Sequence, residues 1–338
     1  MNKKGILRLL SILLFIALLT PSLSSCKRLR QKEYYLYFDT VSIISDYSKE
    51  SKASFTRATE EFEKRLEYFH KLFDIYNEYD GMNNIATINR LAGKEAVTVD
   101  YEIINLIEFS IKMQDATNGN VNIAMGSVLS IWHKYREAGV TIPTSEELAS
   151  AAEHTDISKI VIDKENSTVY LSDPQMSLDV GAIAKGYAAE VIARNLEGLG
   201  YTSYVLDIGG NLRAIGTKPD GSSWRTGVQN PNPYSPEPYV YYLDVADTSV
   251  VTSGDYQRFY TVDGKRYHHI INKDTLMPAE HFSSVTVLTK DSGVADALST
   301  ALFNMDHASG VAMLSKFDDV SVVWVTRDGE VKTYGLGE

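Results

Sequence analysis

Apolar residues recur at three- and four-residue steps through Phe55, Ala58, Phe62, Leu66, Phe69 and Phe73, which predicts a long amphipathic helix over roughly residues 54–75. Ahead of it, Tyr34 to Ile44 is dense in β-formers and predicts a single strand. Further helices are expected near 102–117, 126–137, 183–198 and 292–304. Short strands should flank the turn-like Asp163-Lys164-Glu165-Asn166. From Tyr204 to Ile270 the chain reads as successive strands punctuated by Gly and Pro, and a hairpin over 320–334, turning at Asp328-Gly329, closes it. Helices dominate the first half and strands the middle. That order predicts an α+β domain, mainly antiparallel sheet flanked by helices, rather than a βαβ repeat.

The pattern at the N-terminus belongs to targeting, not to the fold. Lys3, Lys4 and Arg8 precede an apolar stretch from Leu9 to Leu19 interrupted only by Ser11, too short to span a bilayer comfortably but suited to a signal-peptide core. Leu23-Ser24-Ser25-Cys26 follows, an aliphatic residue, two small ones and a cysteine, and resembles a bacterial lipobox. The expectation is cleavage before Cys26 and a lipid on its thiol, with residues 1–25 as signal, 26–33 as a charged tether and 34–338 as one domain. Such a chain would be exported and held at a membrane surface by its acyl groups. Cys26 is the only cysteine of the 338 residues, so an intrachain disulfide and a cysteine metal cluster are excluded.

Charge narrows the partners. The chain carries 33 Lys and Arg against 44 Asp and Glu, a formal −11, and without residues 1–25 the balance is 30 against 44, or −14. So acidic a surface is a poor partner for nucleic acid, whose binding rests on neutralising phosphates.

Common catalytic loops are absent. Gly181 and Gly186 have the glycine spacing of a P-loop, but Tyr187 stands where that loop needs lysine. No G-x-G-x-x-G follows a strand, and neither H-E-x-x-H nor G-x-S-x-G occurs. The acidic run from Asp74 to Gly81 lacks the alternating oxygen ligands of a calcium loop.

Four stretches carry candidate chemistry. In Leu178-Asp179-Val180-Gly181-Ala182-Ile183-Ala184-Lys185-Gly186-Tyr187, small residues leave the backbone open at a helix start, Lys185 offers a charge to phosphate and Asp179 an acceptor. Close packing of the helix would demand the same small residues. Asp207-Ile208-Gly209-Gly210-Asn211 reads as strand, paired glycines, strand, which serves hairpin architecture or close approach of a ligand. Tyr267-His268-His269-Ile270 supplies a general-base candidate or a structural histidine, and its neighbours Ser253 and Asp255 do not by themselves make a hydrolase triad. Asp296 and Thr300, four apart on a predicted helix, share one face and suit Mg²⁺, or simply a surface hydrogen bond.

Taken in order, DVGAIAKGYA, DIGGNLRAIGTKPDG, WRTGVQNP, TSGDYQR, RYHHI and ADALSTALF resemble the ApbE-like flavin transferases, the FAD:protein FMN transferases, over about residues 34–335. FDIYNEYDGMNNIATIN and TNGNVNI match more weakly. The resemblance implies an ApbE-like fold and an enzyme that splits FAD with Mg²⁺ and joins FMN through a phosphoester to a threonine or serine of an acceptor flavoprotein outside the cytoplasm. The implied acceptor is a subunit of a membrane electron-transfer complex. By the same resemblance Phe38, Tyr76, Asn120, Val121, Asn122, Asp179, Lys185 and Ile270 would hold FAD, with Tyr76 stacked on the isoalloxazine. The Ala182 carbonyl, Asp296 and Thr300 would ligate Mg²⁺, and His269 would activate the acceptor hydroxyl, with His268 second in line. Two other readings fit the same residues: an FAD pyrophosphatase releasing FMN and AMP, and a non-catalytic flavin-binding lipoprotein. The chain departs from the family at Phe38-Asp39-Thr40, where Met-Gly-Thr is usual, at Asn122, where aspartate is common, and at Leu276, where a glycine shapes the turn after the histidine.

Overall fold

In the computed structural model, which describes residues 29–48 and 50–336, the strand expected over 34–44 is two strands, β1 (Arg30–Tyr37) and β2 (Thr40–Asp46). Phe38 and Asp39 join them at φ 55° and 51°, a two-residue hairpin turn with both central residues left-handed. Such turns usually announce themselves with Asn or Gly, which is why this one was not foreseen. Strand β1 also takes up residues 30–33, expected as tether, and pairs them with Asp46 to Ile43. Cys26 and the whole expected signal segment lie outside the described residues.

The long helix is α1 (Lys52–Leu72), started by Ser51, whose hydroxyl accepts the Ser54 N–H at 3.1 Å. Its Phe62, Leu66, Phe69 and Leu72 are fully buried, each worth about 1.5–3 kcal/mol. There follow α2 (Ile85–Arg90), β3 (Val97–Thr98), α3 (Tyr101–Ala116), α4 (Gly126–Ala138), α5 (Ser145–Ala152), β4 (Ile160–Asp163), β5 (Thr168–Leu171) and α6 (Ala184–Gly198). The second half runs β6 (Ser203–Ile208), β7 (Asn211–Gly216), β8 (Trp224–Gln229), β9 (Tyr239–Val245), β10 (Ser249–Gly254), β11 (Phe259–Val262), β12 (Lys265–His268) and β13 (Phe282–Thr289). It ends with α7 (Ser292–Phe303), α8 (His307–Leu314), β14 (Ser321–Thr326) and β15 (Val331–Tyr334). Periodicity located α3, α4, α6 and α7 within about two residues. Helix α5 was missed although Thr144 and Glu147 form a reciprocal capping box.

Eight strands build the main sheet in the order β1-β2-β6-β7-β10-β13-β14-β15, every neighbouring pair antiparallel. Helices α1, α6 and α7 pack against it and share the largest buried cluster with strand residues such as Ile44, Leu206, Val285 and Trp324. The β8–β9 hairpin forms a second cluster with the sheet, where Trp224, Val228 and Leu243 meet Ala214, Val250 and Val323. A third cluster, including Val128, Trp132, Leu148, Tyr260 and Ile271, ties α4 and α5 to the β11 strand and the loop beyond β12. The fold is thus the expected α+β class, antiparallel and flanked by helices.

The register brings the active elements to one end of the sheet. Ser42 of β2 faces Ile208 of β6, and Asn211 of β7 faces Val251 of β10. The Phe38-Asp39 turn, the Gly209-Gly210 turn and the Thr252–Gly254 end of β10 therefore lie together. Gly209, at φ 59°, leaves room for nothing more: a Cβ there would come within 2.6 Å of the Thr40 side chain.

A buried charge network sets α7 on this frame. Glu190 of α6 accepts the Ser292 N–H at 3.0 Å and pairs with Arg213 of β7 at 3.2 Å, both residues being under one-tenth exposed. Arg194 joins Glu190 to Asp291, whose carboxylate caps α7 by accepting the Val294 N–H. Removing one partner of such a pair strands the other in low dielectric. Arg213→Ala should therefore cost about 3–5 kcal/mol in urea unfolding; a loss under about 1 kcal/mol would show that Arg194 alone suffices to hold Glu190.

Candidate active site

Helix α6 crosses α7 so closely that a Cβ on Gly186 would lie 2.3 Å from the Ser292 carbonyl oxygen and 2.5 Å from the Asp296 Cβ. The approach lets the Gly186 N–H donate to Asp296 Oδ2 at 2.8 Å, while Lys185 Nζ stands 3.9 Å from the same oxygen. Close packing and chemistry, alternatives at the sequence level, are here one feature. Burial pushes the Asp296 carboxyl up, and Lys185 and the Gly186 N–H oppose the shift. Thr300, one turn on, has its hydroxyl 3.4 Å from Ser253 Oγ, which also contacts Ser299 Oγ at 2.8 Å. Ser253 thus serves α7 rather than a histidine, and no triad forms around it. Among the described residues no group of three or more His, Cys, Asp or Glu gathers around a metal position. What the site offers is one buried carboxylate and a hydroxyl on the same helix face. These are hard oxygens that fit Mg²⁺, an ion content with few protein ligands and with water or phosphate for the rest.

Asp179 enters the site on a turn supported by the segment around Asn122. Its N–H donates to the Ile123 carbonyl at 2.8 Å, and its Oδ1 accepts the Gly181 N–H at 2.9 Å. Its Oδ2 lies 3.7 Å from Nε2 of His133, whose Nδ1 meets the Tyr76 hydroxyl at 2.9 Å. Tyr76 as a whole residue is 60% exposed, with its hydroxyl end turned inward to His133. Burial and the neighbouring Asp179 charge push its hydroxyl up to about 12, so it stays protonated. Burial, with Arg136 and Arg258 assisting, lowers the basicity of His133 against the opposing pull of Asp179. His133 had no motif to announce it; only the fold sets this face of α4 opposite Tyr76.

The two adjacent histidines separate cleanly. His268 is buried, with Nε2 at 2.8 Å from the Ala279 carbonyl and Nδ1 accepting the Ile270 N–H, so both nitrogens are committed to backbone. His269 has Nδ1 3.2 Å from the Arg258 carbonyl. A carbonyl only accepts, so Nδ1 carries the proton and the Nε2 lone pair is left for chemistry. Burial first, then the positive charge of Arg258, pulls the His269 pKa down to about 3, keeping the ring neutral.

The remaining expected residues divide. The Phe38 N–H donates to His70 Nδ1 at 3.2 Å, and the two rings meet edge-on, so the strained turn fixes Phe38 at the sheet end. Asn120 donates to the Thr117 carbonyl, Asn122 bonds the Ala124 N–H and the Thr155 carbonyl, and Val121 and Ile270 are buried in the core. These four residues are held in place by packing and by local hydrogen bonds. At Leu276 the turn survives the lost glycine: φ is 59°, the Leu276 N–H reaches the Asn272 carbonyl at 2.8 Å, and Asn272 Oδ1 accepts two further N–H groups. A leucine held there costs about 1–2 kcal/mol of backbone strain.

The chain is similar to known proteins. Residues 38–324 match the ApbE family. An FAD:protein FMN transferase of Treponema pallidum is 30% identical over 322 residues, covering 90% of this chain and 88% of that protein. Another, from Klebsiella pneumoniae, is 28% identical, covering 77% of this chain and 83% of that one. The crystal structure of the ApbE protein from Thermotoga maritima superposes with a TM-score of 0.80 at 27% identity, over 91% of this chain and 97% of that one. The flavin transferase ApbE of Vibrio cholerae gives 0.75 at 26% identity, over 91% and 97%.

Proposed function

The chain belongs to the ApbE family, and from that premise we propose that it is a transferase moving FMN from FAD to a threonine or serine hydroxyl of an acceptor flavoprotein, releasing AMP. The observation that carries the reading is the α6–α7 contact, which sets Lys185 beside a buried Asp296 in a chain of net charge −11. A dianionic pyrophosphate needs local cations to enter so acidic a protein.

Each residue then has a task. Tyr76 presents its exposed face to the flavin ring, and Asp179 offers a carboxylate oxygen to flavin hydrogen-bond donors. Lys185 faces the pyrophosphate. His269, through Nε2, takes the proton of the acceptor hydroxyl; the freed oxygen bonds to the FMN phosphorus and the phosphoanhydride bond breaks, with AMP carrying off the electron pair. Asp296, Thr300 and the Ala182 carbonyl would hold Mg²⁺, which neutralises charge on the pyrophosphate when bound. Export and lipidation at Cys26 complete the proposal, supported by the signal-like segment and the Leu-Ser-Ser-Cys pattern. The acceptor would then be a subunit of a membrane electron-transfer complex. Among the described residues no helix is long and apolar enough to cross a membrane, so in this reading attachment falls to the lipid.

Intact-mass measurement after incubating the chain with FAD, Mg²⁺ and a candidate acceptor should show one FMN added to the acceptor, and none after chelation of the metal. Free FMN beside an unmodified acceptor would replace this reading with a pyrophosphatase; FAD surviving intact would replace it with a binding protein.

A further inference from the structure

Helix α4 carries two consecutive residues that face different parts of the site. Trp132 is buried in the third cluster and donates its Nε1–H to the Leu276 carbonyl at 2.9 Å, gripping the loop that follows His269 and Ile270. His133 faces the other way, toward Tyr76 and Asp179. The proton positions follow from the partners. A carboxylate opposite Nε2 favours hydrogen on that nitrogen, which leaves the Nδ1 lone pair to accept from the Tyr76 O–H. Tyr76 otherwise follows the end of α1 in an exposed turn, its N–H bonded at 2.7 Å to the Asp74 carboxylate. A tyrosine 60% exposed has a free ring torsion unless its hydroxyl is tied down.

We propose that His133 is a positioning residue for the flavin: it fixes the plane of the Tyr76 ring and holds it in register, through α4, with the loop bearing His269. The inference rests on the flavin reading of the site. It assigns His133 no contact with the reacting phosphorus, only the task of presenting a preset aromatic platform beside Asp179.

The test is a double-mutant cycle read by flavin fluorescence, since a ring stacked on tyrosine is quenched. His133→Phe keeps an aromatic ring but loses both nitrogens. It should weaken FAD binding about tenfold, the worth of one well-placed hydrogen bond, and make bound FAD less quenched. KM for FAD should rise by a similar factor while kcat at saturating FAD falls much less. Tyr76→Phe should do the same alone yet add almost nothing in the His133→Phe background, because both remove one interaction. His133→Gln, which retains a polar end, should restore part of the quenching. Circular dichroism and thermal melts of each variant report whether the fold is kept. Additive losses, or His133→Phe with wild-type quenching and affinity, would overturn the proposal. Wild-type chain that fails to quench FAD at all would instead tell against the flavin reading.

Discussion

His269→Ala is expected to slow FMN transfer by about a hundred- to ten-thousand-fold, the usual worth of a positioned general base, while FAD still binds. Binding should survive because Tyr76, Asp179 and Lys185, the residues proposed to hold FAD, are untouched. His268 cannot substitute, since both its nitrogens are engaged by backbone. The pH dependence carries a sign of its own. Burial and the charge of Arg258 depress the His269 pKa, so the free enzyme holds the base neutral well below the ordinary histidine value of about 6.5. The acid limb of kcat/KM should therefore lie clearly below pH 6.5. A bound pyrophosphate favours the imidazolium, so the limb of kcat should lie higher. Near wild-type transfer by His269→Ala, measured by acceptor mass, would assign the base to another group.

Gly186→Ala is expected to damage stability and activity together. The new Cβ meets the Ser292 carbonyl oxygen at 2.3 Å and the Asp296 Cβ at 2.5 Å, and a helix backbone cannot swing aside as a side-chain tip can. Overpacking of this kind costs about 1–3 kcal/mol or more. Separating α6 from α7 also removes the N–H that holds Asp296 and shifts Lys185 away from it. Melting temperature and transfer should fall together. Gly198→Ala is the control: on the same helix, its Cβ would meet nothing within 4 Å, so stability should hold or rise by about 0.5–1 kcal/mol. If Gly186→Ala keeps both stability and activity, the helix contact is not what sets the carboxylate.

Much of this was legible in the residues. The three- and four-step periodicity of Phe62, Leu66 and Phe69 located α1, and the hairpin at Asp328-Gly329 formed where its turn residues said it would. Asp296 and Thr300 did fall on one helix face. What stayed hidden depended on contacts between distant segments. No local signal could tell His268 from His269, because the choice rests on which nitrogen meets the carbonyls of Ala279 and Arg258. His133 was invisible for the same reason, its partners being 57 residues upstream and far downstream. The Phe38-Asp39 turn was missed for a different cause: two ordinary residues occupy left-handed backbone that sequence rules reserve for glycine and asparagine.

Strand β1 has one more effect, on geography. Its eight residues run from Arg30 to the edge of the Phe38 turn, a stretch of about 26 Å at the usual rise of a strand. With the acyl groups proposed on Cys26, only two residues, Lys27 and Arg28, separate the point of attachment from Leu29. If that anchor is present, the strand would act as a ruler between the membrane and the Phe38 turn, and an acceptor would have to offer its hydroxyl at a matching height.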